Sequence, residues 1–129
     1  MTRRILVVDD DPSVRQLVRD VLDLEGYAVT TAEDGLAAVC ALAAELPDCV
    51  VLDVMMPGLD GHRVLEHIRS HYGPDLPVVM LTAVSEDQAA WKAWAGGVDY
   101  FLTKPFEPLE LLRFLDVLFA NAGADAGAG

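Results

Sequence analysis

The chain has 129 residues, the length of one domain with room for a core, and 53% of them are hydrophobic. That composition excludes a disordered segment and a scaffold held together by disulfides. Twenty-one acidic against nine basic residues give a net charge of −12; such a field repels a nucleic-acid backbone and argues against direct nucleic-acid binding.

The apolar run Ile5 to Val8 reads as a short strand, cut off by Asp9, Asp10 and Asp11. It is too short for a signal h-region, and no run reaches the length of a membrane span, so a cytoplasmic location is expected. Asp11-Pro12 has the form of an N-cap with proline at the first helical position. Val14, Leu17, Val18, Val21 and Leu22 then recur at helical spacing until Gly26. Tyr27 to Thr31 reads as the second strand. Asp34-Gly35 opens the next helix, with Leu36, Val39, Cys40 and Ala43 marking its inner face and Pro47 beyond its end. Cys40 and Cys49 lack CxxC spacing and are expected as buried free thiols.

Cys49 to Leu52 predicts a third strand ending on Asp53, followed by a loop with Pro57 and Gly58. Asp60 caps a third helix with Val64, Leu65 and Ile68 turned inward. Pro77 to Leu81 is the fourth strand and reaches Thr82. A fourth helix is expected at 86–95, a fifth strand over 98–103, and a last helix over 108–120. Residues 122–129 hold only alanine, glycine and one aspartate, which predicts a flexible tail or the start of a linker after a domain over 1–121. Strands alternating with helices predict an α/β fold, a doubly wound parallel sheet with right-handed crossovers.

Ligands of such a sheet bind beyond the carboxyl ends of its strands. There stand Asp9 and Asp10 after strand one, Asp53 after strand three, Thr82 after strand four and Lys104 after strand five. Carboxylates about 4 Å apart repel by roughly 4 kcal/mol at an effective dielectric near 20, which a divalent cation would relieve. An incomplete set of oxygen ligands suits Mg²⁺, with Mn²⁺ an alternative. A metal, a lysine and a hydroxyl donor around one aspartate are what phosphoryl transfer onto that aspartate requires.

The segments Ile5-Leu-Val-Val-Asp-Asp-Asp11, Leu52-Asp-Val-Met-Met-Pro-Gly-Leu-Asp-Gly61, Leu81-Thr-Ala83 and Tyr100-Phe-Leu-Thr-Lys-Pro-Phe106 resemble the receiver domain of two-component response regulators. The resemblance covers about residues 3 to 120 and implies a flavodoxin-like (βα)5 fold with strand order 2-1-3-4-5. It implies Asp53 as phosphoacceptor, Asp10 as a direct Mg²⁺ ligand, Asp9 acting through a metal-bound water, and the Met55 backbone carbonyl as a further ligand. It also implies that Lys104 pairs with the acceptor and that Thr82 donates to the phosphoryl group beside the small Ala83. Met55 and Val84 would flank the phosphoryl site, and Lys104-Pro105 would be cis. Phe101 falls at the position of the switch aromatic, where many members have tyrosine. The implied partners are a sensor histidine kinase or phosphotransfer protein, and a homodimer through the face of helix four, strand five and helix five. The implied role is regulatory: the domain assists its own phosphorylation and dephosphorylation and turns over no external product.

Two other functions compete. An aspartyl-phosphate phosphatase of the haloacid-dehalogenase type needs a second aspartate two residues after the nucleophile, where this chain has Met55. A flavin carrier needs a phosphate loop after strand one, where Asp9-Asp-Asp-Pro12 would repel a flavin phosphate. His67 and His71, four apart, have a spacing that can bind metal, but without a third ligand in the pattern they are assigned with His62 to a solvated helix face. Trp91 and Trp94 are assigned to packing. In the last helix, Leu109 and Val117 stand on the polar side, either as ordinary surface residues or as part of a dimer face.

Overall fold

The computed structural model describes residues 2–54, 56, 58, 60–83 and 97–128, with 82, 83 and 121–128 described by their backbone course alone. Its elements in chain order are β1 (Arg4–Val8), α1 (Pro12–Leu24), β2 (Ala28–Ala32), α2 (Gly35–Ala44), β3 (Cys49–Asp53), α3 (Gly61–Tyr72), β4 (Val78–Ala83), β5 (Tyr100–Lys104) and a C-terminal helix (Pro108–Ala128). The five strands form one parallel sheet in the order β2-β1-β3-β4-β5, the doubly wound flavodoxin-like arrangement. The helix expected at 86–95, with Trp91 and Trp94, lies outside the described residues.

The central strands are apolar on both faces because helices cover both. Side chains alternate along a strand. Ile5, Val7, Val51, Val79, Leu81 and Leu102 therefore meet α1 and the C-terminal helix through Val18, Leu22, Leu111 and Leu115. Leu6, Val8, Val50, Leu52, Val78 and Met80 meet α2 and α3 through Ala38, Leu42, Val64, Leu65 and Ile68.

Caps set the helix starts. Asp11 accepts a hydrogen bond from the Ser13 N–H at 2.8 Å, Asp34 from Ala37 at 2.7 Å and Asp60 from Arg63 at 3.0 Å. Each begins a helix where the sequence predicts one. Gly26, at φ 89°, turns the chain from α1 toward β2.

Three expectations differ from the structure. The buried residues of α2 are Gly35, Ala38 and Leu42, whereas Leu36 is 68% exposed. The helix is apolar on several sides, and its small residues allow the closest approach to the sheet. Cys40 consequently lies exposed, while Cys49 is buried as expected, and burial raises the Cys49 thiol pKa. The C-terminal helix continues to Ala128, past the predicted end at 120; alanine is the strongest helix former, so an Ala-rich segment can propagate it.

Arg69 at the end of α3 closes the sheet edge opposite the strands' carboxyl ends. Its guanidinium donates to the carbonyls of Gly73 (3.2 Å), Leu76 (2.6 Å) and Gly97 (2.7 and 3.1 Å). It also pairs with Asp99 at 3.2 Å, which accepts from the Val78 N–H at 2.8 Å. Arg69→Met should cost roughly 2–3 kcal/mol, because these carbonyls and a charge-assisted pair lose their donor together. Lysine should not rescue it, lacking the planar fork. Urea denaturation of the three proteins checks this, and a loss under about 0.5 kcal/mol for Arg69→Met would contradict it.

Candidate functional site

Register and alternation assemble the site. Val8 pairs with Leu52, so Asp9 and Asp53, each one residue further on, leave neighbouring strands side by side. Asp53 pairs with Leu81 on β4, and Leu81 with Leu102 on β5. Lys104 stands two residues beyond Leu102 on the same face, and its long side chain reaches back over the strand ends. Its Nζ lies 3.0 Å from Asp9 Oδ2 and 3.2 Å from Asp53 Oδ1. Asp9 is fully buried and Asp53 is 4% exposed. They are the buried acids among the described residues, and one lysine serves both.

Asp9 is held from several sides. Its Oδ1 accepts from the Asp11 N–H at 2.9 Å and its Oδ2 from Lys104. The Arg15 guanidinium donates to its carbonyl at 2.7 Å, fixing the end of β1 against α1. Asp10 is exposed beside them. Each of Asp9, Asp10 and Asp53 offers a carboxylate oxygen, and these oxygens lie within 4.8 Å of one another. Closely spaced hard oxygen donors with excess negative charge fit Mg²⁺ or Mn²⁺, and they do not fit a thiolate- or imidazole-seeking metal.

The electrostatics follow from burial. Asp53 has its pKa raised to about 7, by burial first and by the Asp9 carboxylate second, with Lys104 opposing both. For Lys104, burial alone would lower the pKa, but its hydrogen bonds to and attraction by Asp9 and Asp53 raise it on balance. The lysine is therefore a fixed cation at neutral pH, and Asp53 is an acid whose charge depends on what neutralises its neighbour.

The structure brings together Asp9, Asp10, Asp53 and Lys104. The backbone of Thr82 and Ala83 lies at the end of β4, with Ala83 paired to Lys104. Phe101 on β5 is half-buried and packs against the core on the α2–α3 face. The Lys104–Pro105 peptide is cis. Met55 and Val84 lie outside the described residues.

Two further contributors have roles that only the packing shows. Arg15 is one, an ordinary helix-surface residue by pattern. Gly61 is the other. Its N–H donates to the Val54 carbonyl at 3.0 Å, so α3 starts against the backbone of Asp53 itself. A Cβ there would overlap the Asp53 carbonyl oxygen and lie 2.8 Å from Val54 Cα.

The family model of the response regulator receiver domain matches residues 5–116. The chain belongs to the response regulator receiver family. As a receiver domain of a two-component system it is a regulatory domain that works with a phosphodonor, and receivers bind Mg²⁺ at an acidic pocket such as this one. Response regulator MprA of Mycolicibacterium vanbaalenii is 48% identical over 132 residues, covering 100% of this chain and 55% of its own length. The MprA of Mycobacterium bovis (strain BCG / Pasteur 1173P2) is 50% identical over 131 residues, with 99% and 55% covered. The chain thus spans about half the length of these curated relatives. Among solved structures, a putative response regulator from Chloroflexus aurantiacus superposes with a TM-score of 0.87 at 35% identity, covering 93% of this chain and 99% of the other. The Vibrio cholerae chemotaxis protein CheY4 gives 0.84 at 32% identity, covering 90% and 98%. No described helix is long and apolar enough to cross a membrane.

Proposed function

We propose that this chain is a cytoplasmic signalling receiver that takes a phosphoryl group from a histidine kinase or phosphotransfer protein onto Asp53. The observation that carries the reading is the Lys104 ammonium 3.2 Å from a buried Asp53 carboxylate, with two further carboxylates alongside. An Asp53 oxygen attacks phosphorus and forms the O–P bond as the donor's N–P bond breaks. The bond's electron pair leaves with the donor imidazole. Lys104 holds a phosphoryl oxygen, and Thr82 donates to another beside the small Ala83. Mg²⁺, when bound, supplies positive charge to the acceptor and phosphoryl oxygens; Asp10, Asp53 and the Met55 carbonyl would hold it directly. Both Asp9 oxygens already accept protein hydrogen bonds, which supports contact through water for that residue. Acetyl phosphate with Mg²⁺ should add one phosphoryl group, blocked by a chelator and mapped by mass to Asp53. Label on any other residue would overturn the assignment.

The switch follows from the same bond. A phosphoryl group that binds Thr82 in only one conformation shifts the population toward it. Phe101 then turns inward and remodels the surface of segment 86–95, β5 and the C-terminal helix. That face carries exposed Leu109 and Val117, and Tyr100 stacked on Phe114 at 4.6 Å, which supports homodimerisation there. The receiver proper occupies 1–121, with 122–129 a tail or the start of a linker onto which the C-terminal helix extends.

Lifetime is set by water. Hydrolysis needs a water in line behind phosphorus, and apolar Met55 and Val84 cannot orient one. Wild-type phosphoprotein should therefore decay slowly in excess Mg²⁺. The double variant Met55→Asn/Val84→Glu should decay roughly tenfold faster. Equal decay of the two proteins would show that water access is not limiting.

A further inference from the structure

The histidine pair on α3 is not used by the aspartate site. His67 and His71 are four residues apart and so one turn apart on one face of the helix. Their ring centroids are 4.0 Å apart and their planes 26° from parallel. His71 is exposed and His67 half-buried, so solvent and ions reach both. His71 Nδ1 lies 3.0 Å from the His67 carbonyl oxygen. A carbonyl can only accept, so the ring proton belongs on Nδ1 and the lone pair on Nε2. A metal-binding histidine has this form: one nitrogen donates to a backbone carbonyl and the other is left as ligand.

We propose that His67 and His71 form a two-imidazole site for a transition-metal cation of the Zn²⁺, Ni²⁺ and Cu²⁺ class, separate from the aspartate pocket. Imidazole nitrogens prefer these ions, whereas carboxylates and water suit Mg²⁺, so the two sites sort metals by ligand chemistry. The rings are stacked, so their in-plane lone pairs run side by side, and because the terminal ring torsion of a histidine is broad, the His67 ring can turn out of the stack to share one ion with His71. Burial first and His71 second lower the His67 pKa, which favours the neutral, metal-binding form of that ring. Among the described residues, the aspartates alone gather three or more ligand groups. The histidine site therefore has two protein ligands, with water completing the shell. By the usual divalent order, Cu²⁺ should bind most tightly.

The test titrates the full chain, held in excess Mg²⁺ to occupy the aspartates, with Cu²⁺, Ni²⁺ and Zn²⁺ separately by calorimetry. One equivalent of each should bind at the histidines, Cu²⁺ tightest, identified as the equivalent lost in the histidine variants and distinct from any uptake at the aspartates or the exposed Cys40 thiol. His67→Gln and His71→Gln should each weaken binding about tenfold or more, and His62→Gln should leave it unchanged. Electron paramagnetic resonance of the Cu²⁺ form should show coupling to two imidazole nitrogens in wild type and one in either variant. No binding at millimolar metal, or binding and spectra unaltered in both variants, would overturn the proposal.

Discussion

Asp53→Asn should abolish phosphoryl uptake and, in chelated buffer at pH 8, stabilise the fold by roughly 1–2 kcal/mol. The first effect follows because an amide oxygen is neutral and a poor nucleophile. The second follows from the raised pKa of about 7, caused by burial and then by Asp9, against about 4 for an aspartate in an unfolded chain. Between those values the folded protein holds a proton that the unfolded chain has released. Stability from this group is therefore fully present below about pH 4, falls as pH rises, and is gone above about pH 7. Three pH units set an upper bound of about 4 kcal/mol. The asparagine forfeits the ion pair with Lys104, so the gain is smaller. Lys104 does not confuse the window: its pKa is also raised, so its contribution is lost only above about pH 10. Urea denaturation of both proteins from pH 4.5 to 8 should show the variant's advantage growing with pH, and excess Mg²⁺ should narrow it. A gap independent of pH would contradict this account of the site.

Gly61→Ala should cost about 1–3 kcal/mol and slow phosphorylation by acetyl phosphate even where the protein stays folded. The added methyl would meet the Asp53 carbonyl oxygen and Val54 Cα. Both belong to backbone, so neither can swing aside as a flexible side chain could. Relief requires α3 to back away, breaking the Gly61–Val54 hydrogen bond, or the end of β3 to move, displacing Asp53 from Lys104. Either shift damages a constellation whose reactivity depends on sub-ångström placement. Thermal unfolding and the initial phosphorylation rate, measured together with Ser70→Ala as a control at an exposed position of the same helix, check this. A variant of wild-type stability and rate would show that the approach can be relaxed cheaply.

The site was legible for a physical reason. In a parallel sheet, polar residues that interrupt an apolar run at its carboxyl end have one place to go, so the sequence alone assigns Asp9, Asp53 and Lys104 to that edge. Their sharing of one cation could not: Lys104 lies 95 residues from Asp9, and only strand register brings them within 3.0 Å. The face of α2 was not legible either. A helix apolar on several sides gives no preferred stripe, and packing chose Ala38 and Leu42 over Leu36 and Cys40.

Composition, period and capping residues thus determined the elements, their type and the edge at which chemistry gathers, because those depend on interactions a few residues apart. The tertiary structure decided the raised pKa of Asp53, the double pairing of Lys104, and the contact that requires glycine at position 61. Each is a matter of burial or of close approach between segments far apart in the chain, and local pattern holds no record of either.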